Sequence, residues 1–227
     1  MTQTYPDHPN LNDNYAPLRM ECEVNDLIVE GEIPQDLYGS FYRNGPDPQF
    51  PPLGQYHWFG GDGMVHAFHF ENGKISYLNR WSKTSKWLQE RKAGKSLIDG
   101  LNPMNSDPQW NPEGSDGTAN TNIIFHAGKL LALEEGHVPF ELDPITLESK
   151  GAYDYGGKLK SPMTAHPKID PVSGDMYGFS YTAENFFSSK MSYFVINSVG
   201  ELKTYEEFEA PFASMVHDFM VTDQHII

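Results

Sequence analysis

Cysteine is almost absent from this chain: Cys22 is the single one among 227 residues. No internal disulfide can form, which fits a reducing compartment, and a cytoplasmic location is the expectation. Long apolar runs are missing as well, and none approaches the roughly 20 residues needed to span a bilayer. Residues 1–14 lack a basic segment followed by an apolar one, so they do not read as a secretory signal. Basic residues are scarce: Lys+Arg 16 against Asp+Glu 31, a formal net charge of -15. Such a surface repels phosphate backbones and argues against nucleic acid as a partner. It also argues against global attraction to anionic lipid, which leaves a local patch as the route to any peripheral membrane contact. Motifs for several chemistries are missing too. No Ser, His and Asp stand in a nucleophile-elbow context, and there is no HExxH. Gly60-Gly61-Asp62-Gly63 is glycine-rich, but no Lys-Ser/Thr follows to make a phosphate loop, and a tight turn needing positive φ is expected there.

What is present points to β-structure. Aromatics make up 13% of the chain, with Gly 20 and Pro 17, a mixture that suggests many short strands joined by tight turns. Residues 1–18 read as a flexible arm, and 19–227 as one domain. Strand-like runs fall at 23–31, 39–43, 56–59, 64–70 and 74–81, the last two joined by Glu71-Asn72-Gly73, a strong hairpin signal. Residues 82–97 form the one helical stretch, read as solvated; its lysines and Trp87 offer a membrane or substrate dock as the alternative. A proline-punctuated loop, 101–118, is a candidate lid or entrance. Asp107, Asn111, Glu113 and Asp116 within it lack the spacing of a calcium loop. From Asn120 onward strands recur with Gly, Pro and Asp turns, favouring a propeller of roughly four blades' worth of chain. The apolar run at the end, 224–227, reads as the interior of a longer protein, of which this is the N-terminal part.

Two of the nine histidines occupy the same kind of place. His166 lies in Thr164-Ala165-His166-Pro167, His217 in Met215-Val216-His217-Asp218, about one blade length apart. Equivalent positions of successive blades point at one axis, so two imidazoles there make half of a metal site. Taken singly, each is more often a surface or satisfied core residue.

At these residues the chain resembles the carotenoid cleavage oxygenase family. The stretch Leu37 to Pro46 (LYGSFYRNGP) resembles the family's opening signature, and His57 to Phe68 (HWFGGDGMVHAF) its second block. Ala119 to Asn122, continuing through Leu131-Ala132-Leu133-Glu134-Glu135-Gly136, resembles the third; the segments around His166 and His217 resemble the first two ligand blocks. The resemblance implies an all-β, seven-bladed propeller with Fe(II) on its axis, held by four histidines. His166 and His217 match the first two of these; the other two would lie beyond Ile227. Glu135 matches the carboxylate that backs a ligand histidine, with Glu134 one register step away. Phe59 matches a position that lines the substrate in the stilbene-cleaving branch. The implied reaction is cleavage of a C=C bond by O2 to two carbonyls, in the full-length protein rather than this fragment alone. The substrate would be an apolar polyene or a stilbene. That stilbene branch places a lysine where this chain has Glu134, and a tyrosine near 98–101 where none stands. Both departures turn the expectation towards a carotenoid or apocarotenoid, with lignostilbene cleavage or a non-catalytic ligand-binding fragment as alternatives.

Overall fold

The computed structural model describes residues 4–100, 102–185 and 188–227. Twelve strands among them form three antiparallel four-stranded sheets. The first contains β1 (Cys22–Val24), β2 (Gly39–Pro46), β3 (Gly63–Glu71) and β4 (Lys74–Trp81), in the order β1-β4-β3-β2. The second contains β5 (Asn122–His126), β6 (Lys129–Leu133), β7 (Phe140–Leu142) and β8 (Ser149–Ala152), in sequence order. The third contains β9 (Lys168–Ile169), β10 (Met176–Ser180), β11 (Lys190–Ile196) and β12 (Leu202–Glu209), again a simple meander. Four-stranded antiparallel sheets laid face to face are the blade unit of a propeller.

Local chemistry explains the hairpins. Asn72 (φ 52°) and Gly73 (φ 71°) both adopt left-handed geometry between paired Glu71 and Lys74, as a two-residue type I′ turn requires. Ala127 and Gly128 make the equivalent turn between β5 and β6. Among the described residues three four-stranded sheets are complete, in a length of chain that blade-length arithmetic reads as roughly four blades' worth. The difference is chain spent on the N-terminal segment, on the helix and long loop at 85–118, and on the segment after β12. The expected strand at 23–31 pairs with β4 only over Cys22–Val24, although Leu27 N–H still donates to Ile75 C=O at 2.9 Å. The expected strand at 56–59 is instead extended chain leading into a single 3-10 turn, Trp58–Gly60.

The core lies between the sheets, and β6 is its centre. Side chains alternate along a strand, so Leu130 and Ala132 pack with Val65, Ala67 and Leu78 of the first sheet. Leu131 and Leu133 pack on the other face with Met176, Phe194 and Ile196 of the third. All four β6 residues are essentially fully buried. Burial of each leucine stabilises by about 1.5–3 kcal/mol, which fixes the strand's register. Phe194 also needs Gly178 opposite it, where a Cβ would come within 2.3 Å of the ring.

The helix is shorter than the sequence suggests: α1 (Ser85–Ala93) is capped by the Thr84 hydroxyl, which accepts from Trp87 N–H, and by left-handed Gly94. One face is buried rather than solvated. Trp87 packs on Trp81 and Met64, and Lys86 is only 7% exposed. Its Nζ sits 2.8 Å from Asp62 Oδ1 and 2.8 Å from Glu90 Oε2. Glu90 Oε1 in turn accepts from Leu97 N–H at 2.8 Å, so the ion triad fastens α1 both to the first sheet and to the chain that follows it. The loop from 101 packs back on α1: Asp116 Oδ1 accepts from Ser85 N–H, and Gln89 and Asn111 bond reciprocally. Its first residue, Leu101, lies outside the described residues.

Residues 4–18 lie against the segment 47–56. Leu11 is buried, the Tyr5 hydroxyl donates to Pro48 C=O, and the His8 ring meets Tyr56 edge-on. Leu18 N–H donates to Asp47 Oδ2 at 2.9 Å, while Asp47 Oδ1 is buried without a partner. Burial raises the Asp47 carboxyl to about 6, against the backbone N–H bonds from Leu18 and Arg19 that lower it. The folded chain therefore binds this proton more tightly than the unfolded one. The associated stability is fully present below about pH 4 and is lost as the pH rises through about 6. Asp47→Asn keeps an acceptor for Leu18 N–H and should flatten that leg of the stability–pH curve, measured as the thermal midpoint from pH 4 to 7. Lys86→Met leaves two buried carboxylates unpaired and should cost about 3–5 kcal/mol in chemical denaturation; a loss under about 1 kcal/mol would mean that water reaches the triad.

Candidate metal centre and adjoining cavity

His166 and His217 are both brought to one point. His166 sits just before β9, where the chain enters the third sheet. Its N–H donates to Thr164 Oγ1 at 3.0 Å, and the preceding carbonyl, Ala165, accepts from Asn122 Nδ2 at 2.7 Å. His217 lies on the connection that leaves β12. Two neighbours pin it to the same sheet: Asp218 pairs with Lys168 at 2.7 Å, and buried Phe219 meets Phe179 edge-on. The Nε2 atoms of His166 and His217 are 3.0 Å apart.

Glu135 completes the cluster. It follows β6 in the second sheet, and its Oε1 accepts from His217 Nδ1 in a short contact. The ligand-capable atoms of Glu135, His166 and His217 all lie within 4.8 Å of one another. The two adjacent glutamates part in space. Glu134 turns the other way and bonds His137 Nδ1 and Gly136 N–H.

This donor set fits a divalent transition metal. Imidazole–metal bonds run about 2.0–2.1 Å, so two nitrogens at right angles about one ion stand about 3 Å apart. His217 has its Nδ1 engaged by a carboxylate and offers Nε2, the usual outer arrangement for a ligand histidine. Burial first, then the neighbouring His217 ring, holds His166 below the ordinary imidazole value, so it is neutral and able to bind metal near pH 7.

A cavity of about 740 Å³ opens beside the cluster. Its walls are largely apolar, with Leu53, Tyr56, Phe59, Ile98 and Met215 among them, and Glu134, Glu135, Tyr181 and His217 line it as well. Phe59 is 65% exposed and faces this space. Its position is set from both sides. The His57 ring accepts from Phe59 N–H, and Asn120 Nδ2 donates to Phe59 C=O at 2.9 Å and Gly61 C=O at 2.7 Å. The adjoining glycines are required by crowding rather than by positive φ. Gly61 has φ -70°, and a Cβ on Gly63 would lie 2.2 Å from Ala119 C=O.

Three participants escape a reading of the sequence. Tyr181 ends an alternating strand and looks like core; here its hydroxyl donates to Glu135 Oε2 at 2.5 Å. Burial, reinforced by Glu135, pushes that phenol above the usual tyrosine range, so it remains a donor. Asn120 is one polar residue among many. His137 adjoins a turn, yet its imidazole lies on the cavity wall. Burial works against its protonation, but the Glu134 bond, with Asp116 nearby, outweighs it and raises its pKa. The long loop contributes Gly117 and Thr118 to the cavity wall.

Residues 15–227 match the family model described as retinal pigment epithelial membrane protein. Lignostilbene-alpha,beta-dioxygenase isozyme III of Sphingomonas paucimobilis is 44% identical over 98% of this chain and 46% of its own length. The crystal structure of a Pseudomonas brassicacearum lignostilbene dioxygenase superposes with TM-score 0.92 at 41% identity, covering 98% of this chain and 47% of that one. A variant of Synechocystis apocarotenoid oxygenase superposes with TM-score 0.78 at 31% identity, covering 93% and 47%. The chain thus spans about half the length of the relatives it matches.

His166→Ala and His217→Ala should each abolish retention of a divalent metal in the full-length protein, and Glu135→Gln should weaken it about 10–100-fold. Elemental analysis after exhaustive dialysis checks all three; full metal content in either alanine variant removes that histidine from the centre.

Proposed function

The chain belongs to the retinal pigment epithelial membrane protein family, which includes carotenoid and lignostilbene dioxygenases, and from that premise we propose that it carries half of an Fe(II) site and a substrate cavity for cleaving a C=C bond with O2. The balance is simple: one alkene and one O2 give two carbonyl compounds, with no net proton taken up or released. The observation that carries the reading is the convergence of His166 and His217 at 3.0 Å, backed by Glu135, beside a largely apolar cavity that His217 and Glu135 line.

His166 and His217 would hold the iron through Nε2, together with ligands beyond this chain. When bound, Fe(II) supplies the redox chemistry that ground-state O2 needs to react with a closed-shell alkene, and neutral imidazoles suit that ion. The chain's own residues do the rest. Glu135 orients His217. The apolar walls exclude water and receive a flat conjugated substrate. Phe59, held by Asn120 and His57, presents its ring to that substrate. Glu134 and His137 offer a polar station for a hydroxyl group. Among the described residues no helix is long and apolar enough to cross a membrane.

The substrate favoured by overall likeness is an aryl alkene of the stilbene type, since the lignostilbene dioxygenase superposes more closely than the apocarotenoid enzyme. This reverses the ranking suggested by sequence departures alone. The second reading, a carotenoid or apocarotenoid, draws on Glu134: a carboxylate paired with His137 is a poor partner for a phenolate. Aldehyde release by the full-length iron-loaded protein from a hydroxystilbene and an apocarotenoid, assayed side by side, should show kcat/KM at least tenfold higher for the stilbene. The opposite ranking would transfer the assignment to the second reading, and turnover of neither would remove the dioxygenase reading.

A further inference from the structure

We propose that Tyr181 is a positioning residue of the metal centre: its hydroxyl fixes the Glu135 carboxylate so that His217 keeps its Nε2 lone pair free for metal. This rests on the reading of His166, His217 and Glu135 given above.

Glu135 has two carboxylate oxygens, and each has its own partner. Oε1 faces His217 Nδ1, and Oε2 accepts from Tyr181 Oη at 2.5 Å. The last torsion of a glutamate is broad and roughly two-fold, so one hydrogen bond leaves the carboxylate plane poorly defined. A second bond, on the other oxygen, defines it. A phenol donates to a carboxylate, and an ionised carboxylate only accepts. The ring atom facing Oε1 is then the donor, Nδ1–H, and the neutral imidazole carries its lone pair on Nε2. That is the atom 3.0 Å from His166 Nε2.

The fold supports this contact on both sides. Tyr181 follows β10 directly, and β10 is paired with β11 along its whole length. The next residue, Thr182, donates its hydroxyl to Glu135 C=O at 3.3 Å. Two consecutive residues that follow β10 therefore grip the side chain and the backbone of one residue following β6. The phenol also forms part of the cavity wall. The ring is needed there whether or not its hydroxyl is, which makes removal of the hydroxyl alone an informative change.

Tyr181→Phe in the full-length protein should bind Co(II) about 10-fold more weakly than wild type in anaerobic titration against a competing chelator, the low end of the range for outer-sphere changes. In the metal-free wild type, nitrogen NMR should assign His217 as the Nδ1–H tautomer, and in the variant as a mixture. A role in packing alone would lower the thermal midpoint and leave both readouts unchanged. An Nε2–H tautomer in the wild type overturns the proposal without any variant. So does wild-type Co(II) affinity in a folded Tyr181→Phe while Glu135→Gln still weakens binding. If Glu135→Gln and His217→Ala also bind Co(II) normally, the metal reading itself fails and the role of Tyr181 falls with it.

Discussion

The candidate centre depends on the burial of β6 on both faces. Leu130 and Ala132 belong to one core, Leu131 and Leu133 to the other. A strand embedded this way cannot slip by one residue, because a slip would exchange every side chain between two differently shaped cores. The two glutamates that follow inherit that certainty. Glu135 emerges towards the third sheet and meets His217 and Tyr181, while Glu134 emerges on the other side and meets His137. The chemistry of two adjacent, identical residues is thus divided by the period of a strand and by the four apolar side chains that precede them in β6.

Charge around the cavity is handled by pairing. The chain is strongly acidic, and four carboxylates, Asp62, Glu90, Glu134 and Glu135, border the cavity. Each has a partner: Lys86 serves the first two, His137 the third, and His217 with Tyr181 the fourth. Unpaired, such groups would each carry a desolvation penalty of several kcal/mol. Paired, they leave the remaining walls apolar, which is the condition for a greasy substrate to displace water. The triad on Lys86 has a second effect, because it holds α1 and the chain at 96–98 in place as one side of that wall.

Much of this was legible in the sequence, and the rest was hidden for identifiable reasons. Turns with a steric signature were readable, as at Asn72-Gly73. The juxtaposition of His166 and His217 was readable because sheets repeat at a nearly fixed chain length. The same arithmetic measures chain and not strand, so it cannot set apart the long excursion at 85–118. The buried face of α1 was invisible because its members, Lys86 and Glu90, are the residue types least often found inside. The glycines at 61 and 63 were visible as special but for the wrong reason, since crowding by Tyr56, Pro46 and Ala119 leaves no trace in local sequence. Tyr181 was hidden because a donor to a carboxylate 46 residues earlier has no local signal at all.

The proposed reaction and the electrostatics of the cavity fit each other. Cleaving an alkene with O2 needs no group to add or remove a proton overall, so a cavity serving it has no use for a free acid or base near the reacting bond. Every carboxylate bordering this cavity is engaged by a cation, an imidazole or a phenol, and none projects unpaired into the apolar space. A hydrolase or isomerase built on the same walls would need one of those groups released and poised for proton transfer. What the arrangement offers is a set of fixed orientations: a carboxylate held by Tyr181, an imidazole held by that carboxylate, and a phenylalanine held by Asn120 and His57. Under the proposed reaction, such a site would hold an electron-rich, proton-indifferent substrate beside the imidazole cluster and would leave the remaining chemistry to whatever that cluster binds.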